Sequence, residues 1–389
     1  ASTFERSGSV SAIASPGDFQ AAKSIAGAVR NATVASLARA LDKDIEVAYE
    51  AVKGAVKPRI HVFLATSDIH MEYKLKMTRE EVLKRTYDAV SYAKSLCDDV
   101  EFSAEDASRS DPDFLCKVLE EAIKAGATTV NIPDTVGYAV PDEYGELISY
   151  VIKNVKGIEK VDVSVHCHND LGMATANSLA AVKAGATQVE CTVNGIGERA
   201  GNTALEEVVM ALYTRKNFFD AECGVDTTQI FKSSKLLSMI TGVKVQPNKA
   251  IVGENAFAHE AGIHQHGVLA NKKTYEIMTP ESIGLSENKM VLGKHSGKHA
   301  LSDRLRSLGL TVTDEALAEI FDEFKKLADR QKSVSDRDIE ALVHKKSVSV
   351  PESYKLDRFV INVGNTITTT SAVKLDCPDG QKREVVTSS

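Results

Sequence analysis

The chain of 389 residues carries 47 basic and 54 acidic side chains, a net charge of −7, with 43% hydrophobic and 26% charged residues. That is the make-up of an ordinary globular protein with room for two or three domains, and without a basic block or basic amphipathic helix it argues against a nucleic-acid or anionic-membrane surface. No apolar run approaches a membrane span and Ala1–Arg6 lacks a charged-then-apolar leader, so the expected location is cytoplasmic, or an organelle if a targeting segment has been removed.

In chain order, candidate strands fall at Ala32–Leu37, Ile60–Ala65, Val100–Ser103, Thr129–Pro133, Val161–Cys167 and Gln188–Val193, with helical patterns between them. Gly8–Ile13 is a candidate seventh strand, and nothing before it supplies an eighth. The helix from Pro112 shows the signals: Asp111 at the N-cap, Pro112 at the first helical position, an apolar stripe of Leu115, Val118, Leu119 and Ala122, and Gly126 at the end. The segment Ala122–Val130 returns nearly unchanged as Ala181–Val189, with a further strand between the copies. Two βα units of roughly 30 residues each fit that spacing, which is the period of a (β/α)8 barrel.

The expected fold class is therefore α/β, a TIM-barrel type domain over residues 1–215. From about residue 215 the βα rhythm stops and helical segments follow over 216–350, notably Thr313–Arg330 with Leu317, Ile320, Phe321, Phe324 and Leu327 on one face. The charged, Ser-rich stretch Ser333–Ser349 reads as a hinge. Over 351–389, alternation around Phe359, Ile361 and Val363, a Gly364-Asn365 turn and a Pro378-Asp379-Gly380 turn read as the first strands of a small β-containing module.

Chemistry concentrates at the strand ends. His166 and His168 are two apart after the apolar lead-in of Val161, Val163 and Val165, so both imidazoles share one face and can chelate a divalent metal, with Asn169 and Asp170 as outer oxygen groups. The alternative is two polar residues satisfied by backbone or water at a strand terminus. Cys167 points the other way, as packing. It and the other cysteines, Cys97, Cys116, Cys191, Cys223 and Cys377, show no C-x-x-C pair and read as reduced thiols. Ser103 and Glu105 share a face at another strand end. Thr135 ends Asn131-Ile-Pro-Asp-Thr135, and His61 opens Ile60–Asp68. Each of these also reads as a cap or turn residue at a βα junction. The glycine-rich Asn194–Asn202 loop could offer backbone N–H groups to an anion, and Asn202 or Glu198 could reach back toward the histidine pair. Farther on, His259, His264 and His266 lack the spacing of a helical zinc motif, and with Tyr275 they suggest a separate acid–base site.

His166-Cys-His-Asn-Asp-Leu-Gly-Met-Ala174, Gly195-Ile-Gly-Glu-Arg-Ala-Gly-Asn202, Ala65-Thr-Ser-Asp-Ile-His-Met-Glu-Tyr-Lys-Leu75 and Gly262-Ile-His-Gln265 together resemble the 2-isopropylmalate synthase family. These are metal-dependent Claisen-condensing barrel enzymes, related to homocitrate and citramalate synthases. The resemblance runs from about Ala14 to the C-terminus. It implies condensation of acetyl-CoA with a 2-oxo acid, 2-oxoisovalerate, in leucine biosynthesis, with Mn, Mg or Zn as the divalent metal ion. It implies His166, His168 and Asn202 as metal ligands, His61, Ser103 and Thr135 as the keto-acid pocket, and His264, Tyr275 and Glu105 as catalytic groups. It also implies a homodimer and leucine as feedback inhibitor of the full-length enzyme.

Two departures from the family pattern set further expectations. Its members open the barrel with a strand carrying Arg-Asp-Gly-Glu-Gln, whose Arg steadies the enolate and whose Asp binds the metal; this chain has no such segment, and the residues before Ala14 do not resemble the usual second strand. The barrel is expected to lack one strand and its helix and to show open sheet edges. The regulatory domain is expected to stop after its opening strands. The alternatives to an active synthase are a catalytically incomplete fragment, a citramalate or homocitrate synthase, or a metal-dependent lyase.

Overall fold

Side chains alternate between the two faces of a strand, and that alternation sorts the residues of this protein into a greasy outside and a polar inside. The computed structural model describes residues 2–4, 7–10, 12, 14–257, 277–285, 296–308, 310, 312–330, 334, 336–347, 355–364, 367–377 and 381–388. The chain divides into two compact units, Ala1–Phe257 with Ile277–Asn288, and Ala258–Glu276 with Lys289–Ser389.

In the first unit the strands are β1 (Ser2–Phe4), β2 (Ser7–Val10), β3 (Thr33–Arg39), β4 (Pro58–Ala65), β5 (Val100–Glu105), β6 (Thr129–Asp134), β7 (Asp162–Cys167), β8 (Gln188–Glu190) and β9 (Ala221–Cys223). Strands β2 to β8 form one sheet in sequence order, parallel throughout, and β1 pairs separately with β9. The sheet is strongly curled. Arg59 on β4 hydrogen-bonds Gln188 on β8 at 3.0 Å, whereas a flat sheet would hold strands four steps apart about 19 Å away from each other. Among the described residues no strand joins β2 to β8, so the barrel is open on that side.

The outward-pointing residues Ile60, Val62, Val100, Phe102, Val130, Ile132 and Val165 are fully buried under the helices. Each buried Val, Ile or Phe contributes roughly 1.5–3 kcal/mol. The helix Pro112–Ala125 follows the signals read from its sequence: the Asp111 side chain accepts from the Phe114 amide at 2.9 Å, and Gly126 closes the helix at φ 108°. The helix Arg79–Leu96 opens with a reciprocal cap between Thr78 and Glu81.

The candidate seventh strand of Gly8–Ile13 forms as Ser7–Val10, paired with β3 as the sheet's edge strand. Two expectations are modified. Strand β8 ends at Glu190, short of Val193, because Val193–Gly195 turns into a tight helical bend with Asn194 at φ 63°. The hinge expected over Ser333–Ser349 contains the helix Asp336–Ser347, where Ile339 and Val343, four residues apart, are buried.

In the second unit, helices Lys298–Ser307, Asp314–Arg330 and Asp336–Ser347 bury Leu301, Leu305, Ile320, Phe324 and Ile339 against one another. Strands β10 (Lys355–Gly364), β11 (Ile367–Asp376) and β12 (Lys382–Ser388) form an antiparallel sheet. Phe359, Ile361, Val363 and Val385 remain exposed on it.

Candidate metal centre and active site

The inward-facing residues of β4 to β8 are mostly polar, with Ala35 and Leu37 of β3 beside them, and they stack in layers from the strands' N-terminal ends upward. In the lowest layer Arg59 donates to Glu101 Oε2 (3.2 Å), Gln188 Oε1 (3.0 Å) and Asp99 (2.9 Å), while Gln188 Nε2 donates to Glu101 Oε1 (2.8 Å) and Ser164 (2.9 Å). Above it, His61 Nε2 lies within hydrogen-bonding distance of Ser103 Oγ at 2.6 Å, and Ser103 Oγ accepts from Asn131 Nδ2 at 2.7 Å. His61 Nδ1 faces Glu190 at 3.6 Å and Glu101 at 3.9 Å.

At the rim, His166 and His168 emerge side by side from the end of β7, with their Nε2 atoms 3.1 Å apart. Neighbouring ligands of a divalent ion at about 2.1 Å stand about 3 Å from one another, so this is the separation of two imidazoles sharing one cation. Glu190 approaches His166 Nδ1 at 2.8 Å, although not in line with the ring N–H. The negative charge beside Nδ1 favours a proton on that nitrogen and leaves Nε2 to face the rim. Asn202 bridges backbone with His168, and its Oδ1 is buried without a hydrogen-bond partner. An orphaned buried acceptor costs about 1–3 kcal/mol, a cost removed when the oxygen coordinates a cation. The two imidazoles and this amide oxygen thus fit a divalent ion.

A second group, His61, Glu101 and Glu190, also offers ligand atoms within 4.8 Å of one another. Both Glu101 oxygens already accept from Arg59 and Gln188, so Glu101 is committed within the interior, while His61 Nδ1, like the Asn202 oxygen, has no hydrogen-bond partner.

The electrostatics separate the two imidazoles. Burial works against charge on His166, but the adjacent Glu190, with Glu101 and Asp134, outweighs it and raises the pKa. His168 is lowered by burial, then by the charge of His166 and Arg199. Burial pushes Glu101 upward. It pushes Glu190 the same way, yet His61 and His166 overcome this and bring Glu190 down to about 2.

The structure brings His61, Ser103, His166, His168 and Asn202 into or beside this interior. Glu105 stands at the rim, where it accepts from Lys74 Nζ at 2.5 Å, with His70 Nε2 at 3.9 Å. Thr135 Oγ1 accepts from the Asp106 amide at 2.9 Å and so also braces the loop after β5. Asn169 and Asp170 are not free for an outer shell: Asn169 Oδ1 takes the Ala174 amide (3.1 Å) and Asp170 takes Arg199 (2.7 Å). Glu198 is 83% exposed and paired to Arg199 rather than turned toward the histidines. His259, His264, His266 and Tyr275 lie outside the described residues. Within the glycine-rich loop the Gly201 amide donates to the Glu198 carbonyl and the Asn202 amide to the Gly195 carbonyl, and the glycines allow close approach: a Cβ on Gly197 would stand 2.5 Å from Asn202 Oδ1.

The sequence reading passed over Arg59, Glu101, Asn131, Gln188 and Glu190. The signal was present in Arg59-Ile-His-Val62 and Gln188-Val-Glu190, where polar residues recur every second position on otherwise apolar strands. A cavity of about 740 Å³ adjoins this interior, lined by His61, His166, Glu190 and Asn202 on one side and by Val189, Val208 and Leu212 on another. That volume suits a small-molecule ligand.

Comparison with known proteins bears on what such a site does. A family model described as HMGL-like matches residues 8–237, and one described as homocitrate synthase post-HMGL domain-like matches residues 251–332. The 2-isopropylmalate synthase of Ruminiclostridium cellulolyticum is 60% identical over 364 residues, 94% of this chain and 72% of the relative. That of Aquifex aeolicus is 57% identical over 376 residues, 96% of this chain and 72% of the relative. Among solved structures, a hydroxymethylglutaryl-CoA lyase from Pseudomonas aeruginosa matches with a TM-score of 0.51 at 24% identity, covering 61% of this chain and 80% of that one. This last likeness is one of fold.

Proposed function

The chain belongs to the 2-isopropylmalate synthases of the HMGL-like family, and from that premise we propose that it condenses acetyl-CoA with 2-oxoisovalerate (3-methyl-2-oxobutanoate) to give 2-isopropylmalate and CoA in leucine biosynthesis. The observation that carries this reading is the imidazole pair, 3.1 Å between Nε2 atoms, with Asn202 bridged to His168 through the backbone and its side-chain oxygen unpartnered. A divalent ion held by His166, His168 and Asn202 supplies Lewis acidity toward the keto acid's carbonyl and carboxylate oxygens. Mn, Mg and Zn all suit mixed nitrogen and oxygen donors. The chain contains no Arg-Asp-Gly-Glu-Gln segment, so the carboxylate expected from that strand is not part of this donor set.

The remaining roles follow from the residues themselves. Glu190 and Glu101 face His61 Nδ1, which favours the proton there and leaves Nε2 to accept from the Ser103 hydroxyl. Asn131 donates to the same hydroxyl oxygen, so the hydroxyl is fixed in direction, as a substrate-orienting group must be. Thr135, on the adjacent strand end, completes the keto-acid pocket. Glu105, oriented by Lys74, is assigned to proton handling with His264 and Tyr275. Together these groups serve removal of a proton from the acetyl methyl, protonation of the new alkoxide, and hydrolysis of the thioester by water.

The same reading carries a homodimer, a cytoplasmic location and leucine feedback on the full-length enzyme. No helix among the described residues is long and apolar enough to cross a membrane.

A thiol-release assay with acetyl-CoA and 2-oxoisovalerate tests the proposal. CoA release is expected only with both substrates and a divalent ion, falling roughly 100-fold or more in His166→Ala. No release with Mg²⁺, Mn²⁺ or Zn²⁺ would leave the catalytically incomplete reading in its place, and turnover of 2-isopropylmalate analogues without CoA dependence would favour a lyase. Comparable release with pyruvate or 2-oxobutanoate would move the substrate assignment, since a methylene more or less is worth only about 1–3 kcal/mol.

A further inference from the structure

We propose that Arg199 is a positioning residue that sets Asn202 against the imidazole pair by tying together the loops that follow β6, β7 and β8; the inference rests on the metal reading above. Arg199 Nε donates to Asp170 Oδ1 at 2.7 Å and Nη2 to Asp170 Oδ2 at 2.9 Å, a two-pronged contact, while Nη2 also donates to the Thr135 carbonyl at 2.9 Å. Asp170 lies two residues beyond His168, Thr135 is a pocket residue on the preceding strand end, and Asn202 lies three residues beyond Arg199. One guanidinium therefore spans the three segments that carry the ligands and the pocket.

The surroundings are shaped to that contact. Arg199 sits at φ 54°, a left-handed conformation that a non-glycine residue holds only when its neighbours fix it. A Cβ on Gly137 would stand 2.5 Å from Asp170 Oδ2, so the loop after β6 closes tightly around the acceptor. The Asn169 amide donates to the Gly201 carbonyl and the Asn202 amide to the Gly195 carbonyl, each at 2.9 Å, which passes the position of the clamp on to Asn202. The Arg199 side chain is 43% exposed, and exposed ion pairs add little to stability. Core packing is thus not its role, and what it controls is the placement of the loop. A lysine keeps the charge but cannot reproduce the fork.

The test is titration of Mn²⁺ into the metal-free full chain by calorimetry, for the unsubstituted protein, Arg199→Lys, Asp170→Asn and the double variant, beside a thermal melt of each without metal. The expected result is a dissociation constant about 10-fold or more higher in each single variant, no further rise in the double variant because both break the same contact, and little change in the metal-free melts. Unchanged affinity in the single variants overturns the clamp while leaving the metal reading intact, as does a lowered metal-free melt with unchanged affinity, the mark of a merely structural ion pair. No Mn²⁺ binding by the unsubstituted chain overturns the metal reading and the clamp with it.

Discussion

Cys167, between the two histidines, shows how much one residue's environment decides. It sits on the opposite face of β7 from them and is fully buried, as its place in the alternation required. Burial pushes its thiol up to about 12. The folded protein keeps this group neutral where the unfolded chain ionises it near pH 9, so unfolding releases a proton above that pH and stability falls as pH rises, by up to about 1.4 kcal/mol per pH unit per group. Below pH 8 the thiol is neutral in both states and contributes nothing to the pH dependence. The urea midpoint should therefore drop between pH 8 and pH 10, and drop less in Cys167→Ala. An identical drop in both proteins would show that other groups govern the alkaline limit.

At the scale of the element, the loop Gly195–Asn202 was legible as glycine-rich, but its purpose was not. Sequence suggests an anion cradle, because glycine-rich loops after barrel strands often bind phosphate. The structure bonds the Gly201 and Asn202 amides inside the loop and uses the glycines to let Asn202 come close. Gly197→Ala should accordingly weaken metal binding more than it lowers the metal-free melting temperature, since its Cβ would meet Asn202 Oδ1 at 2.5 Å and the side chain must turn away. Mn²⁺ calorimetry beside a metal-free melt checks this, and full affinity in the variant would count against Asn202 as a ligand. The strands themselves were readable to within a few residues because their outer faces are continuous Val, Ile and Phe against helices. Their inner faces were read only at the histidines, serine and acids with a familiar chemistry, so Glu190 and Glu101 went unnoticed.

At the scale of the molecule, curvature turns seven parallel strands into a site. It lets Arg59 and Gln188, 129 residues apart in sequence, hydrogen-bond across the interior. It also leaves edges. Strands β4 to β7 are paired on both sides, whereas β2 and β8 are paired on one side among the described residues. Amide exchange should then be slowest in Pro58–Ala65, Val100–Glu105, Thr129–Asp134 and Asp162–Cys167, and distinctly faster in Ser7–Val10 and Gln188–Glu190. Uniform protection across all seven strands by exchange mass spectrometry would mean that something further covers the two edges.

What the sequence determined by itself was local and periodic: the βα repeat, the caps of Pro112–Ala125, and the shared face of His166 and His168, because spacing along one element fixes direction without reference to the rest of the chain. Only the tertiary structure decided which partners those side chains meet. That Glu190 would stand behind His166, that Asp170 would go to Arg199, and that Ser7–Val10 would find the edge of β3 depend on how far the sheet curls and which loop ends it brings together. Those distances are set by packing between residues remote in sequence.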